Sequence, residues 1–232
     1  MTRASPEVHA PRAPTPTGAV PLLALGLGVL ALLGPTRALV GWALLPWTVA
    51  FLALLRLWLR HPEWLARPGI LLGGAVLLRI LFLLTQQDLS DDLFRYVWDG
   101  WIRTHGILPY RFTPDDPALL TLRDPVLHPA LNSPGWYSIY PPVSQLVFWL
   151  GGHAHALAGW PASGWVVRVG FTLLELGGIA ALLHLFRATG RSPAPLVLLA
   201  WNPLALVAVA GSGHSEGGWI LAAGLLLLGV GL

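Results

Sequence analysis

Apolar residues recur in seven runs, at 19–33, 38–55, 70–84, 142–159, 164–186, 194–210 and 219–232, separated by short polar segments. Several approach the roughly 20 residues a helix needs to cross a bilayer, and flanking Trp and Arg can complete the shorter ones at the interface. The pattern predicts an all-α, polytopic bundle of six or seven membrane helices. A single polar interruption is long, covering 86–140.

That interruption opens with a helix of a different kind. Ser90 is placed to cap it, and Asp91 and Asp92 fall in its first turn, where the helix dipole favours negative charge. Leu93, Phe94, Val97, Trp98, Trp101 and Ile102 then recur on one face. Asp92, Arg95, Tyr96, Asp99 and Arg103 share the other, and Gly106 ends the helix. The expectation is an amphipathic helix lying on the membrane, apolar face in lipid and charged face toward a cavity. Prolines break the remainder of the loop into turns.

Composition agrees with a membrane protein: 55% of the 232 residues are hydrophobic and 11% charged. The fourteen basic residues are all Arg and are dispersed, which does not fit a nucleic-acid partner. The absence of Cys excludes disulfides and thiolate metal sites. Residues 1–18, polar and Pro-rich, are expected to be a disordered cytoplasmic tail before a membrane domain over 19–232. The chain ends within an apolar run, so it is expected to be part of a longer protein.

Arg3, Arg12, Arg56, Arg60 and Arg67 put the N-terminus and the segment before 70–84 in the cytoplasm, and the acidic loop 86–140 outside. One step conflicts. If the runs at 142–159 and 164–186 both cross, Arg187 and Arg191 arrive outside, and a short or re-entrant 142–159 segment is the favoured resolution. Ionisable groups also interrupt the spans. Arg79 can snorkel to the interface or face the interior. Arg168 and Glu175 share a helix face and are expected in a structural ion pair, direct or through other helices. Asn202 before Pro203 predicts a helix kink. His214 and Glu216 lie in a Gly-rich turn that could bind a metal, a hydroxyl or a phosphate, or simply join two helices.

Adjacent carboxylates at a helix start can cap it, bind a divalent cation through oxygen, or act as a general base on a hydroxyl. Spacing alone leaves all three open. A transporter or lipid-handling protein, with Arg79, Arg168 and Glu175 lining a path, is the alternative class; no repeat supports it. A structural membrane subunit is a third.

Three segments, "LSDDLFRYVWDGWIRTHGILPYRFTPDDPALLTLRD", "IYPPVSQLVF" and "WNPLALVAVAGSGHSEG", together resemble the bacterial polytopic glycosyltransferases of the GT-C superfamily. The likeness is greatest to the alpha-mannosyltransferases that use polyprenyl-phosphate mannose, and it covers residues 79–216. It implies a GT-C-like fold in the cytoplasmic membrane, with the site facing the extracytoplasmic side. A sugar, mannose by resemblance, would pass with inversion from the lipid-linked donor to a glycan or glycolipid acceptor. Asp91 or Asp92 would deprotonate the acceptor hydroxyl. Arg95, Tyr96 and Asp99 would line the juxtamembrane helix, Tyr140 and Gln145 the motif closing the loop, and Arg79 the donor phosphate. His214 and Glu216 would join donor binding, although the family often has Asp at the latter position. No cofactor is implied with certainty; a divalent cation fits the carboxylates.

Overall fold

The computed structural model describes residues 16–34, 40–85 and 90–231, and is helical, with no strand among them. Residues 1–15 of the expected tail lie outside the described residues, as do Gln86 and Asp88 of the loop. The helices are α1 (Ala19–Leu33), α2 (Val40–Arg60), α3 (Pro62–Leu65), α4 (Pro68–Leu83), α5 (Asp92–Thr104), α6 (Pro142–Ala158) and α7 (Trp160–Ala188). Beyond α7 come a 3-10 turn (Ala194–Leu196), α8 (Val197–Ala200), α9 (Pro203–Ala205), a π-helical stretch (Leu206–Gly211) and α10 (Glu216–Gly231).

Three stretches are long and apolar enough to cross a membrane: α2, α7 and Ala194–Gly211. Ala19–Leu33, Pro68–Leu83 and Glu216–Val230 are shorter apolar helices. The 142–159 run is in neither group. It forms a 17-residue helix that turns sharply at Gly159, φ 78°, into α7. α7 is correspondingly longer than its apolar run, at 29 residues.

The core is divided in two. One cluster joins α1, α2, α3, α4, the second half of α7 and the 194–210 segment. The other joins α5, α6, the first half of α7 and Leu119, Leu127 and Leu131 of the long loop. That loop is therefore packed into a cap with a core of its own. Asp116 begins the 3-10 turn Pro117–Leu122 by accepting from Ala118 N, and Asp124 accepts from the backbone N–H groups of Val126 and Leu127.

Cross-helix bonds fix how α4 and α7 run. Arg79 meets Glu175, while Arg168, seven positions earlier on α7, donates to the carbonyls of Phe82 and Thr85 at the end of α4. The two helices are antiparallel, and the first third of α7 continues past the end of α4. At the opposite end, α3 packs beside Ala194–Leu196. Arg56, Arg60 and Arg67 thus gather at the same end as Arg187 and Arg191. α6 runs antiparallel beside the first part of α7: the close approaches run Gly151 to Val167, then Gly170 to Val147.

The expectation for α5 is corrected. It begins with Asp91, not Ser90, at the cap position; the Ser90 hydroxyl still accepts from Asp92 N. It ends at Gly106 as expected, with Gly106 N and Ile107 N returning to Arg103 and Ile102. However, Arg95, Tyr96, Val97, Trp98, Asp99, Gly100 and Ile102 are all buried. The helix is enclosed on both faces, its apolar side by α6 and α7 and its charged side by residues 133–138. The reason is the crossing with α6, where a Cβ on Gly100 would overlap the Phe148 carbonyl and one on Gly152 would overlap the Gly100 backbone. Backbones this close leave no room for lipid.

The break at Asn202–Pro203 occurs as expected. The Asn202 side chain caps the next turn by accepting from Leu204 N, 2.9 Å. That diversion frees the Ala200 carbonyl, the usual partner of Leu204 N, and Arg79 Nη1 takes it at 2.7 Å. Arg79 therefore does not snorkel: it is 1% exposed, Nε donates to Glu175 Oε2 at 2.8 Å, and Nη2 stands 2.7 Å from Oε1. Glu175 is in a structural ion pair, as expected, but its cation comes from α4. Arg168 instead caps two helix ends, α4 through Phe82 and Thr85, and the π-helical stretch through Ala210 O.

Candidate functional site

The site lies where the cap meets the bundle. α4 ends at Leu83, the π-helical stretch ends at Gly211, and Arg168 grips both ends. A Cβ on Gly213 would press on Leu93 and Arg168, which places the Gly-rich turn against the start of α5. Gly213 has φ 77°, a conformation that glycine adopts without strain.

Three segments far apart in the chain meet here. The Tyr96 and Tyr140 rings meet edge-on, and Ser215 and Glu216 are near enough to the Tyr96 hydroxyl to act on it electrostatically. Burial drives the Tyr96 hydroxyl far above its ordinary range, and Tyr140, Asp92 and Glu216 add to the shift while Ser215 opposes it. Tyr140 is pushed up to about 12, by burial and then by Asp92. Their rings are held by packing: Tyr96 stacks on Phe148 at 4.5 Å and meets Tyr140 edge-on at 4.9 Å.

At the rim, Asp91 and Asp92 both accept from Asn132 Nδ2, at 3.2 and 2.7 Å. Neither side chain caps its own helix. His214 Nδ1 is 3.7 Å from Glu216 Oε2. Asp91, Asp92, Tyr96, Tyr140, His214 and Glu216 thus lie near one another, where the start of α5, the end of the long loop and the Gly-rich turn meet.

The other expected residues are elsewhere. Arg95, Asp99 and Gln145 form a buried network further along α5 and at the start of α6. Arg95 Nε donates to Asp99 Oδ1 at 2.8 Å, and Ser138 Oγ and Gln145 Nε2 donate to Asp99 Oδ2 at 2.5 and 3.2 Å. Burial pushes the Asp99 carboxyl up, and Arg95, Ser138 and Gln145 pull against it. Arg95 also spends Nη1 on Ser133 O and Nη2 on Trp136 O. Within this network Gln145 Oε1 is buried without a hydrogen-bond partner among the described residues. Arg79 is deeper still, inside the bundle.

Sequence reasoning missed Asn132, Ser138 and Ser215. "LNSPGW" reads as an ordinary turn, and only its position over α5 gives Asn132 a role. Among the described residues, no group of three His, Cys, Asp or Glu side chains is arranged to hold a metal ion. The class these observations define is an all-helical protein with three helices able to cross a membrane and a packed polar cap. Compared with known proteins, the chain matches no family model, no curated protein and no solved structure.

Proposed function

We propose that this chain carries the acceptor-activating end of an integral-membrane glycosyltransferase. It would transfer a sugar, mannose by the resemblance described above, from a polyprenyl-phosphate donor to an extracytoplasmic glycan or glycolipid. The observation that supports this is the meeting of "LSDD", "IYPP" and "GSGHSEG", three segments far apart in the chain, at the start of α5.

In this reading Asp91 or Asp92 takes the proton of the acceptor hydroxyl as its oxygen attacks the anomeric carbon. The bond to the phosphate oxygen breaks, and polyprenyl phosphate leaves with inversion. A carboxylate positioned for this contributes about 10²–10⁴-fold. Tyr96, Tyr140 and Ser215 offer hydroxyls that orient sugar or phosphate oxygens. Arg79 and Arg95 are paired with the carboxylates of Glu175 and Asp99, whereas the partners of Arg168 are backbone carbonyls, which leave its charge unneutralised. The same occupancy weakens the transport alternative, since Arg79, Glu175 and Arg168 are locked into packing rather than lining a path.

The reading is tested with membranes containing the full-length protein, radiolabelled polyprenyl-phosphate mannose and a panel of glycan acceptors. Label in the acceptor is expected; none from this or any other polyprenyl-phosphate sugar, with the protein folded, would reject it.

A further inference from the structure

The two carboxylates Asp91 and Asp92 are neighbours in the chain, carry like charge and are part-exposed at the start of α5. Left alone, such side chains turn away from each other into solvent. What joins them is a residue 40 positions downstream. Asn132 Nδ2 has two N–H groups, and each carboxylate accepts one, at 3.2 Å for Asp91 Oδ1 and 2.7 Å for Asp92 Oδ1. The other end of the amide is fixed as well, because Ser133 Oγ donates to Asn132 Oδ1 at 2.7 Å. With Oδ1 engaged, Nδ2 faces the carboxylates.

Asn132 is exposed, so its own bonds are too weak to hold a loop in place. The anchor lies beneath it. Arg95 donates to the carbonyls of Ser133 and Trp136 and is itself held by Asp99, which is 1% exposed and also bonded by Ser138 and Gln145. The buried pair on α5 ties segment 133–138 across the helix, and this sets Asn132 above the first turn of that helix. Arg95, Asp99 and Gln145 thereby serve the site through Asn132 without touching a ligand.

We propose that Asn132 is a positioning residue that turns Asp91 and Asp92 to a common side of the start of α5 by donating one N–H to each. The consequence for transfer rests on the glycosyltransferase reading; the contact itself does not. Asn132→Asp keeps the shape and replaces the donor with a third carboxylate. Asn132→Ala removes the amide without adding charge.

Two readouts separate these layers. In the transfer assay, both variants are expected to lose on the order of 10²-fold in kcat with KM within about twofold of wild type. A change in KM alone, or wild-type kcat in both, would overturn the positioning role. Independently of any activity, Asn132→Asp is expected to lower the thermal midpoint of the purified protein at neutral pH. It should lower it far less when Asp91→Asn and Asp92→Asn are already present. Equal losses in both backgrounds would overturn the contact. If wild type transfers nothing while the stability coupling is seen, the functional reading fails and the contact stands.

Discussion

Arg79 and Glu175, 96 positions apart, face each other inside the bundle with exposures of 1% and 0%, held by two N–O contacts of 2.8 and 2.7 Å. The pair is not an isolated one. Arg79 also takes the carbonyl released at the Asn202–Pro203 break, so a charge in α4, a charge in α7 and a helix interruption satisfy one another.

Removing either partner leaves an uncompensated buried charge. Glu175→Gln and Arg79→Met are each expected to cost about 3–5 kcal/mol. The double variant Arg79→Met/Glu175→Met should cost less than either alone plus the other, the remainder reflecting the orphaned Ala200 carbonyl. Unfolding in mild detergent, followed by denaturant titration or thermal midpoint, gives all sides of the cycle. Additive losses would show that the two do not depend on each other.

The crossing of α5 over α6 depends on having no side chain at Gly100 or Gly152. Gly100→Val is expected to cost at least about 1–3 kcal/mol and to free the cap from the bundle, because the obstacle is backbone that cannot rotate aside. Limited proteolysis should then cut within 105–140 at protease levels that spare the wild type. An unchanged digestion pattern would contradict the crossing.

Asp124 links the loop to α6: its Oδ2 lies 3.0 Å from His155 Nε2, and Oδ1 accepts from Val126 and Leu127. Burial acts to raise its carboxyl, but the bonds from Leu127, His155 and Val126 prevail and hold it below its usual range. A carboxyl lowered by folding adds stability above its unfolded value, about 3.9, and loses it as pH falls through the folded one. Asp124→Asn should lower stability at neutral pH and flatten the loss of stability below about pH 4. An acid limb identical to wild type would show that the contact does not contribute.

Much of this was legible in the chain, for definite reasons. Runs of apolar residues, the polar residues before α5, Gly106 behind it and Asn202–Pro203 are local signals, and the helices and the break appear where they indicate. Two things were not local. The 142–159 run has the length of a short span, yet its fate is decided by Gly100 on another helix and by Gly159. Which acid Arg79 meets is set by the antiparallel register of α4 and α7. The site was half legible: the Asp pair, Tyr96, Tyr140 and the His214 turn share one place, whereas Arg95 and Asp99 look like ligand-binding residues until the 133–138 segment covers them.

Since the chain has no Cys, single cysteines report its orientation cleanly. Arg60→Cys and Arg191→Cys are expected to react on the same side of the membrane with an impermeant maleimide. Asp115→Cys and His153→Cys should react on the other. Labelling of position 153 together with position 191 would mean that α6 crosses after all.

The most direct measurement compares sugar transfer from polyprenyl-phosphate mannose in membranes carrying the wild-type, Asp91→Asn or Asp92→Asn protein at equal folded amounts. Transfer by the wild type, with a loss of at least about 10²-fold in one variant, is the predicted result. Transfer that survives both substitutions undiminished would contradict an aspartate base at the start of α5.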